Sequence, residues 1–253
     1  MPLYITATPI GNLKDLSERA LETLKNADLI LAEDTRRARA LLAAYKISAK
    51  IERFDQNVEE FKIEAVIKLL QDGQNIALVS DAGTPGISDP GTKLVRAVYE
   101  KLPGTLIVPI PGASAVTAAL SVCGFPTHEF LYLGYPPHKP KKRRVFFERI
   151  AAYPNTVIFF STPYDILKDL TALKECGLEA RQVCVGREMT KVFETFYRGA
   201  IEDVIPQIKN SPLKGEFTVV VGNYTQKSSR AAPSHSAFPQ KSCLPARRKG
   251  MRQ

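Results

Sequence analysis

Over the first half of the chain, short continuous apolar runs alternate with stretches in which apolar residues recur every three or four positions. LYITAT (3–8), DLILAE (28–33), NIALVS (75–80) and TLIVPIP (105–111) have the length and β-rich content of buried strands, and helical periods follow at 17–25, 35–45, 92–101 and 113–122. Continuous apolar strands separated by amphipathic helices predict a mostly parallel sheet covered on both faces. After residue 130 strands outnumber helices: FLYLG (130–134), TVIFFS (156–161), QVCVGRE (182–188), FETFYRG (193–199) and EFTVVVGNY (216–224), with one helix from about 163 to 175. Only MTKV separates the runs 182–188 and 193–199, which predicts an antiparallel hairpin and a mixed sheet. The expectation is an α/β fold of two lobes, a doubly wound 1–111 and a mixed-sheet 112–225, with one cleft between them.

Ligands of parallel α/β sheets bind beyond the carboxyl ends of the strands, so the residues after each strand carry the candidate chemistry. TPIGN places Pro9 and Gly11 after the first strand, where a small-residue turn lets a ligand approach backbone N–H groups; an ordinary strand-to-helix turn reads the same way. AEDTRRAR places Glu33 and Asp34 after the second; Asp34 either caps the next helix or binds a ligand, and Arg36, Arg37 and Arg39 face solvent or phosphate. Between Gly83 and Gly91, Gly and Pro occupy five of nine positions of SDAGTPGISDPG (80–91), which specifies one rigid irregular path rather than helix or strand. Neither GxxxxGK[ST] nor GxGxxG is present, so phosphate cradling is disfavoured. In IPGASAVTAAL, Pro111 and Gly112 break the chain before Ser114 opens a small-residue helix.

Charge changes the picture less than its total suggests. Of the net +9, seven charges lie in residues 226–253, which hold no acidic residue, so the body carries +2. That tail is rich in Ser, Pro and basic residues and is expected to be disordered. HKPKKRR (138–144) puts five cations in seven residues after the FLYLG strand, a solvated face or a phosphate-binding patch near Tyr132 and Tyr135. Cys123, Cys176, Cys184 and Cys243 form no CxxC pair, and His128, His138 and His235 have no ligand-like spacing, so neither a disulfide framework nor a metal site is expected. No apolar run approaches the roughly 18 residues of a membrane span. The N-terminus shows no leader, and the expected location is cytoplasmic.

The order LYITATPIGN, ADLILAEDTRRAR, ALVSDAGTPGISDPG, PIPGASAVTAALSVCGFP and GREMTKVFETFYRG strongly resembles the ribosomal RNA small subunit methyltransferase I family, within the tetrapyrrole methylase superfamily, from Leu3 to about Val221. The resemblance implies a homodimer that uses S-adenosylmethionine to methylate the ribose 2′-hydroxyl of a cytidine in the decoding region of 16S ribosomal RNA. It implies a donor pocket of Pro9, Gly11, Ser80, Asp81, Ala82, Gly83, Ile87, Ser114 and Ala115, closed by Phe160. Glu33 to Arg36 and Arg187 to Lys191 would face the RNA, joined by Arg37, Lys141, Lys142, Arg143 and Arg144. The chain departs from the family at 53–58 (RFDQNV) and 160–165 (FSTPYD), which bears on substrate contacts more than on the donor. A ribose hydroxyl needs a base or charge stabiliser, and the candidates are Lys191, Glu188 and Asp34; Glu188 and Lys191 read equally as a surface ion pair. A relative with another methyl acceptor, or a non-catalytic RNA-binding scaffold, is the competing reading.

Overall fold

A computed structural model of the protein describes residues 2–225; the basic tail 226–253 and Cys243 lie outside the described residues. The first sheet comprises β1 (Leu3–Thr6), β2 (Leu29–Ala32), β3 (Ile51–Arg53), β4 (Ile76–Val79) and β5 (Ile107–Ile110), in the order β3-β2-β4-β1-β5. Every pairing is parallel. Alternation along β2 decides which helices cover which face. Leu29 and Leu31 pack with Val66, Ile67 and Leu70 of α3 (Glu59–Gln71) and Leu94 and Val98 of α4 (Thr92–Lys101). Ile30 and Ala32 pack instead with Leu24 of α1 (Glu18–Asn26) and Ala38 and Leu42 of α2 (Thr35–Ala44). Both faces are thus apolar, which is why these strands read as uninterrupted runs. Pro109, which has no N–H to donate, sits in the edge strand β5, where that costs no ladder bond.

The second sheet has the order β6-β7-β10-β8-β9, built from β6 (Phe130–Tyr132), β7 (Thr156–Ser161), β8 (Arg181–Arg187), β9 (Thr195–Ala200) and β10 (Phe217–Thr225). Only β6 and β7 run parallel; β8 and β9 form the antiparallel hairpin expected from their spacing. One face buries α6 (Pro140–Ala152), α7 (Ile166–Leu173) and α8 (Ile201–Lys209) through Phe147, Ile150, Leu170, Leu173, Val204 and Ile208. The other takes α5 (Ala115–Cys123), whose Val116, Ala119 and Leu120 pack on Ile158, Cys184 and Val220. Each such fully buried aliphatic side chain contributes roughly 1.5–3 kcal/mol. As the first helix after β5, α5 carries the chain from one sheet to the other, and the loop before it lies between the two.

Four elements go beyond the sequence reading: β3, α3, α6 and α8. The basic run 138–144, placed by the sequence in the connection after the FLYLG strand, enters the first turns of α6, with Pro140 in the opening turn.

Candidate active site

The strand-end loops converge as expected. β1 and β4 are neighbours, and their trailing loops are joined by reciprocal backbone bonds, Thr8 N–H to Gly83 O (2.8 Å) and Gly83 N–H to Thr8 O (3.0 Å). Thr8 also donates through Oγ1 to Ser80 O (3.2 Å), and Thr84 Oγ1 donates to Ala113 O (3.2 Å), tying the 80–91 loop to the segment before α5. Asp81 links in the loop after β2: its Oδ1 accepts the Asp34 N–H (2.9 Å) and its Oδ2 pairs with Arg37 (3.4 Å). The 80–91 path is held at its far end too, where the Gly91 N–H donates to the buried Glu59 carboxylate (3.1 Å).

Two adjoining cavities open on this face, and the Arg37 and Asp81 pair borders both. One lies between the lobes. Asp81, Ala82, Gly83, Ile87, Ser114, Ala115 and Phe160, all expected at a donor pocket, line it together. Pro9, Gly11 and Ser80 line the second cavity instead, beside α2. The interlobe cavity also takes Ile10, Asp89, Tyr135, Met189 and the stretch 216–218, none of which was expected at the donor pocket. Of these, Ile10 and Asp89 lay within strand-end loops already recognised as unusual, and Met189 within a stretch expected to face RNA. Phe160 is flanked by Tyr132 and Tyr135, each ring centroid 5.3 Å from its own, so the second lobe presents an aromatic wall. The lobes touch closely at Gly11, where a Cβ would run into the Lys191 and Thr190 side chains and come within 3.1 Å of Met189 O.

The three groups expected to take a proton are otherwise engaged. Asp34 caps α2 by accepting the Arg36 N–H (2.8 Å) and holds the Arg36 guanidinium through both oxygens (3.0 and 2.7 Å). Those bonds, the side-chain pair first, hold its carboxyl well below the usual range. Burial works to raise Glu188, but hydrogen bonds from Lys191 Nζ (2.8 Å) and the Glu216 N–H (2.9 Å) outweigh it and leave the carboxyl low. Burial likewise opposes the charge on Lys191, and Glu188 and Glu216 overcome it, so the ammonium stays protonated. The surface ion pair envisaged for Glu188 and Lys191 is therefore a three-member cluster at the lobe contact.

Two cations expected to meet RNA are committed to structure. Arg187 is 8% exposed and donates to Lys214 O (2.9 and 2.6 Å) and Phe193 O (3.4 Å), closing the end of the β8-β9 hairpin. Arg143 points inward from α6 to the fully buried Asp169 and lies over the Phe147 ring. A helix turn sends neighbours in a basic run to different sides, which a count of charges does not register. Lys141, Lys142 and Arg144 remain exposed, Arg144 paired with Glu148 (2.7 Å). Arg36 and Arg37 are exposed, and Arg37 borders both cavities.

The departures from the family pattern have structural uses. In 160–165, Ser161 donates to Asp169 (2.5 Å) and Thr162 to Asp165 (3.0 Å). In 53–58, Phe54 is fully buried and Asp55 accepts the N–H groups of Asn57 and Val58, turning the chain into α3. Among the described residues no cluster of His, Cys, Asp and Glu is arranged to hold a metal, and no helix is long and apolar enough to cross a membrane.

A fold of this kind, with a cleft at the strand ends of two α/β lobes, is that of the tetrapyrrole (corrin/porphyrin) methylases, whose family model matches residues 2–205. The crystal structure of the methyltransferase CobJ superposes with a TM-score of 0.66 at 19% identity, covering 91% of this chain and 96% of that one. Uroporphyrin-III C-methyltransferase of Thermus thermophilus, complexed with S-adenyl homocysteine, gives 0.60 at 14% identity over 88% and 97%. Sequence similarity is much higher elsewhere. The ribosomal RNA small subunit methyltransferase I of Escherichia coli O157:H7 is 42% identical over 87% of this chain and 77% of its own length. That of Thermotoga maritima is 39% identical over 87% and 97%. The chain belongs to the ribosomal RNA small subunit methyltransferase I family.

Proposed function

We infer that this enzyme transfers the methyl group of S-adenosylmethionine to the ribose 2′-hydroxyl of a cytidine in the decoding region of 16S ribosomal RNA. The interlobe cavity carries the reading. Its residues suit the donor: Ile10, Ile87, Met189 and Phe160 offer apolar surface for a flat base, and backbone polar groups of 81–84 face its polar edge. The aromatic wall and the carboxylates of Asp81 and Glu216 favour a sulfonium cation. The donor supplies the methyl group; the chain binds and orients both reactants and excludes water, which is most of what an in-line displacement requires. Glu188, Lys191 and Glu216 position the lobe contact beside that cavity.

RNA would approach over α2 and the exposed start of α6. Mapping ribose methylation on small-subunit RNA, with and without the protein, is expected to show one added methyl group in the decoding region; an unchanged map on 30S subunits would refute the assignment. Replacing Lys141, Lys142 and Arg144 together by Ser is expected to weaken RNA binding and reduce its salt slope by about 2–3, with donor affinity preserved. Arg143 is kept out of that set because it pairs with the buried Asp169, so its loss would destabilise the second lobe rather than discharge the surface. An unaltered slope would remove α6 from the RNA path.

A further inference from the structure

We propose that Asp89 is the general base of the reaction, accepting the proton of the attacking hydroxyl from the wall of the interlobe cavity. The inference rests on the reading of the reaction given above and names the group that reading lacks.

Asp89 lines the same cavity as Gly83, Ile87, Ser114 and Phe160. Its backbone is not that of a free loop tip. The preceding residue, Ser88, has a left-handed φ of 60° and is bonded through its hydroxyl to Tyr132 OH (2.6 Å), while Pro90 is buried and Gly91 is bonded to Glu59. The carboxylate is therefore presented on a fixed path, as proton transfer in a defined geometry requires.

Its surroundings set it apart from the other carboxylates at the site. Asp34 and Glu188 are held ionised by cations. Asp89 is acted on by burial first, then by the negative charges of Glu33, at the end of β2, and Asp81, at the end of β4; the Ser80 hydroxyl opposes them weakly, and the carboxyl is pushed up to about 7. From the second lobe it faces the phenols of Tyr132 and Tyr135, both raised chiefly by burial and both sensing its charge. Arg37, the α2 cation that lines the same cavity, pairs with Asp81 (3.4 Å). A carboxylate in this setting has a much higher proton affinity than a free one, yet is ionised in a large fraction of molecules at neutral pH, the condition under which a general base is most effective.

The step balances without a further reactant. As the 2′-oxygen bonds to the methyl carbon, the carbon–sulfur bond breaks with its electron pair going to sulfur, and the hydroxyl proton passes to Asp89. The products are a methyl ether, a neutral thioether and a carboxylic acid, which afterwards returns its proton to solvent.

The test joins a titration to kinetics. In the protein without donor, carbon-13 NMR of labelled aspartate is expected to show one carboxyl titrating near pH 7, absent from Asp89→Asn. Asp89→Asn should lower kcat by roughly 10²–10⁴-fold while KM for the RNA and the calorimetric affinity for S-adenosylhomocysteine are retained. The wild-type kcat/KM for the donor, which reports the enzyme before the donor binds, should fall on the acid side with an apparent pKa near 7. Glu33→Gln, by removing a neighbouring negative charge, should move that limb to lower pH, and Asp89→Glu should restore part of the rate. Those last two variants keep the question decidable if Asp89→Asn does not fold. Full kcat in Asp89→Asn, an acid limb indifferent to Glu33, or a carboxyl titrating in the ordinary range would each overturn the proposal. So would loss of S-adenosylhomocysteine binding, which would make Asp89 a donor contact. If the wild-type protein itself leaves small-subunit ribose unmodified, the substrate assignment fails instead, and the titration still decides the state of Asp89.

Discussion

Arg143→Met is expected to lower stability by about 3–5 kcal/mol at pH 8, the cost of leaving a buried carboxylate without its cation. Asp169 on α7 has a side chain that is 0% exposed, and Arg143 is the one cation bonded to it among the described residues; Ser161 supplies a second hydrogen bond at 2.5 Å. Met preserves the aliphatic packing of the arginine stem, so the loss isolates the charge. Burial pushes the Asp169 carboxyl up to about 6 even with Arg143 and Ser161 pulling it down. The folded-state value thus lies above that of the unfolded chain, near 3.9. Between about pH 4 and the folded value near 6, the native state holds a proton that the unfolded state has released, so stability from this group falls as pH rises through that window. Without Arg143 the window extends upward, and urea unfolding should show a penalty that is smaller at pH 5 than at pH 8. Adding Asp169→Asn removes the buried charge, leaves Ser161 an acceptor, and should recover most of the loss. A penalty under about 1 kcal/mol, as for an exposed pair, would mean that water reaches Asp169.

The same pair shows where sequence reasoning stops. The parallel sheet was legible because β2 and β4 are buried on both faces and contain no polar position to interrupt them. The convergence of the loops followed from strand direction alone. By contrast α3 reverses the usual signs: Phe61 on it is 86% exposed and Glu59 is 4% exposed, so its apolar stripe is blurred. β3 has three residues, of which only Ile51 is apolar, and α8 carries Pro206 inside it. α6 opens with cations where the helix dipole favours anions, and its N-cap Lys139 makes no side-chain bond, so only Pro140 marks a start. Within the site, the family resemblance named seven residues that line the interlobe cavity, but not the proposed proton acceptor. The bonds that engage Glu188, Lys191 and Asp34 come from partners up to 28 residues away. Asp89 owes its character to burial and to Glu33, a residue more than 50 positions earlier. No local pattern carries that information, because desolvation and charge coupling are properties of the folded surface.

Gly91→Ala is expected to cost about 2–5 kcal/mol, combining backbone strain with overpacking. Gly91 has φ +124° at the start of α4, a conformation that L side chains rarely adopt. A Cβ there would also lie 2.5 Å from Cδ2 of Leu78, a β4 residue that is 1% exposed and has little room to yield. The two causes can be separated. Gly104→Ala, at φ +96° with nothing within 4 Å of its Cβ, should show the backbone cost alone, about 1–3 kcal/mol. Leu78→Ala in the wild-type background should cost about 2–5 kcal/mol through the cavity it leaves. In the Gly91→Ala background it should cost less, because the new methyl group then occupies part of that space; a coupling of about 0.5–3 kcal/mol is expected from chemical unfolding of the four proteins. Strict additivity would assign the whole effect of Gly91→Ala to its backbone. The functional consequence differs from that of Arg143→Met. Gly91 lies outside the cavity wall, yet its N–H bond to Glu59 fixes the far end of the 80–91 loop, so its displacement should weaken S-adenosylhomocysteine binding measured well below the unfolding transition. Arg143→Met, acting on the far side of the second sheet, should leave that affinity intact under the same conditions.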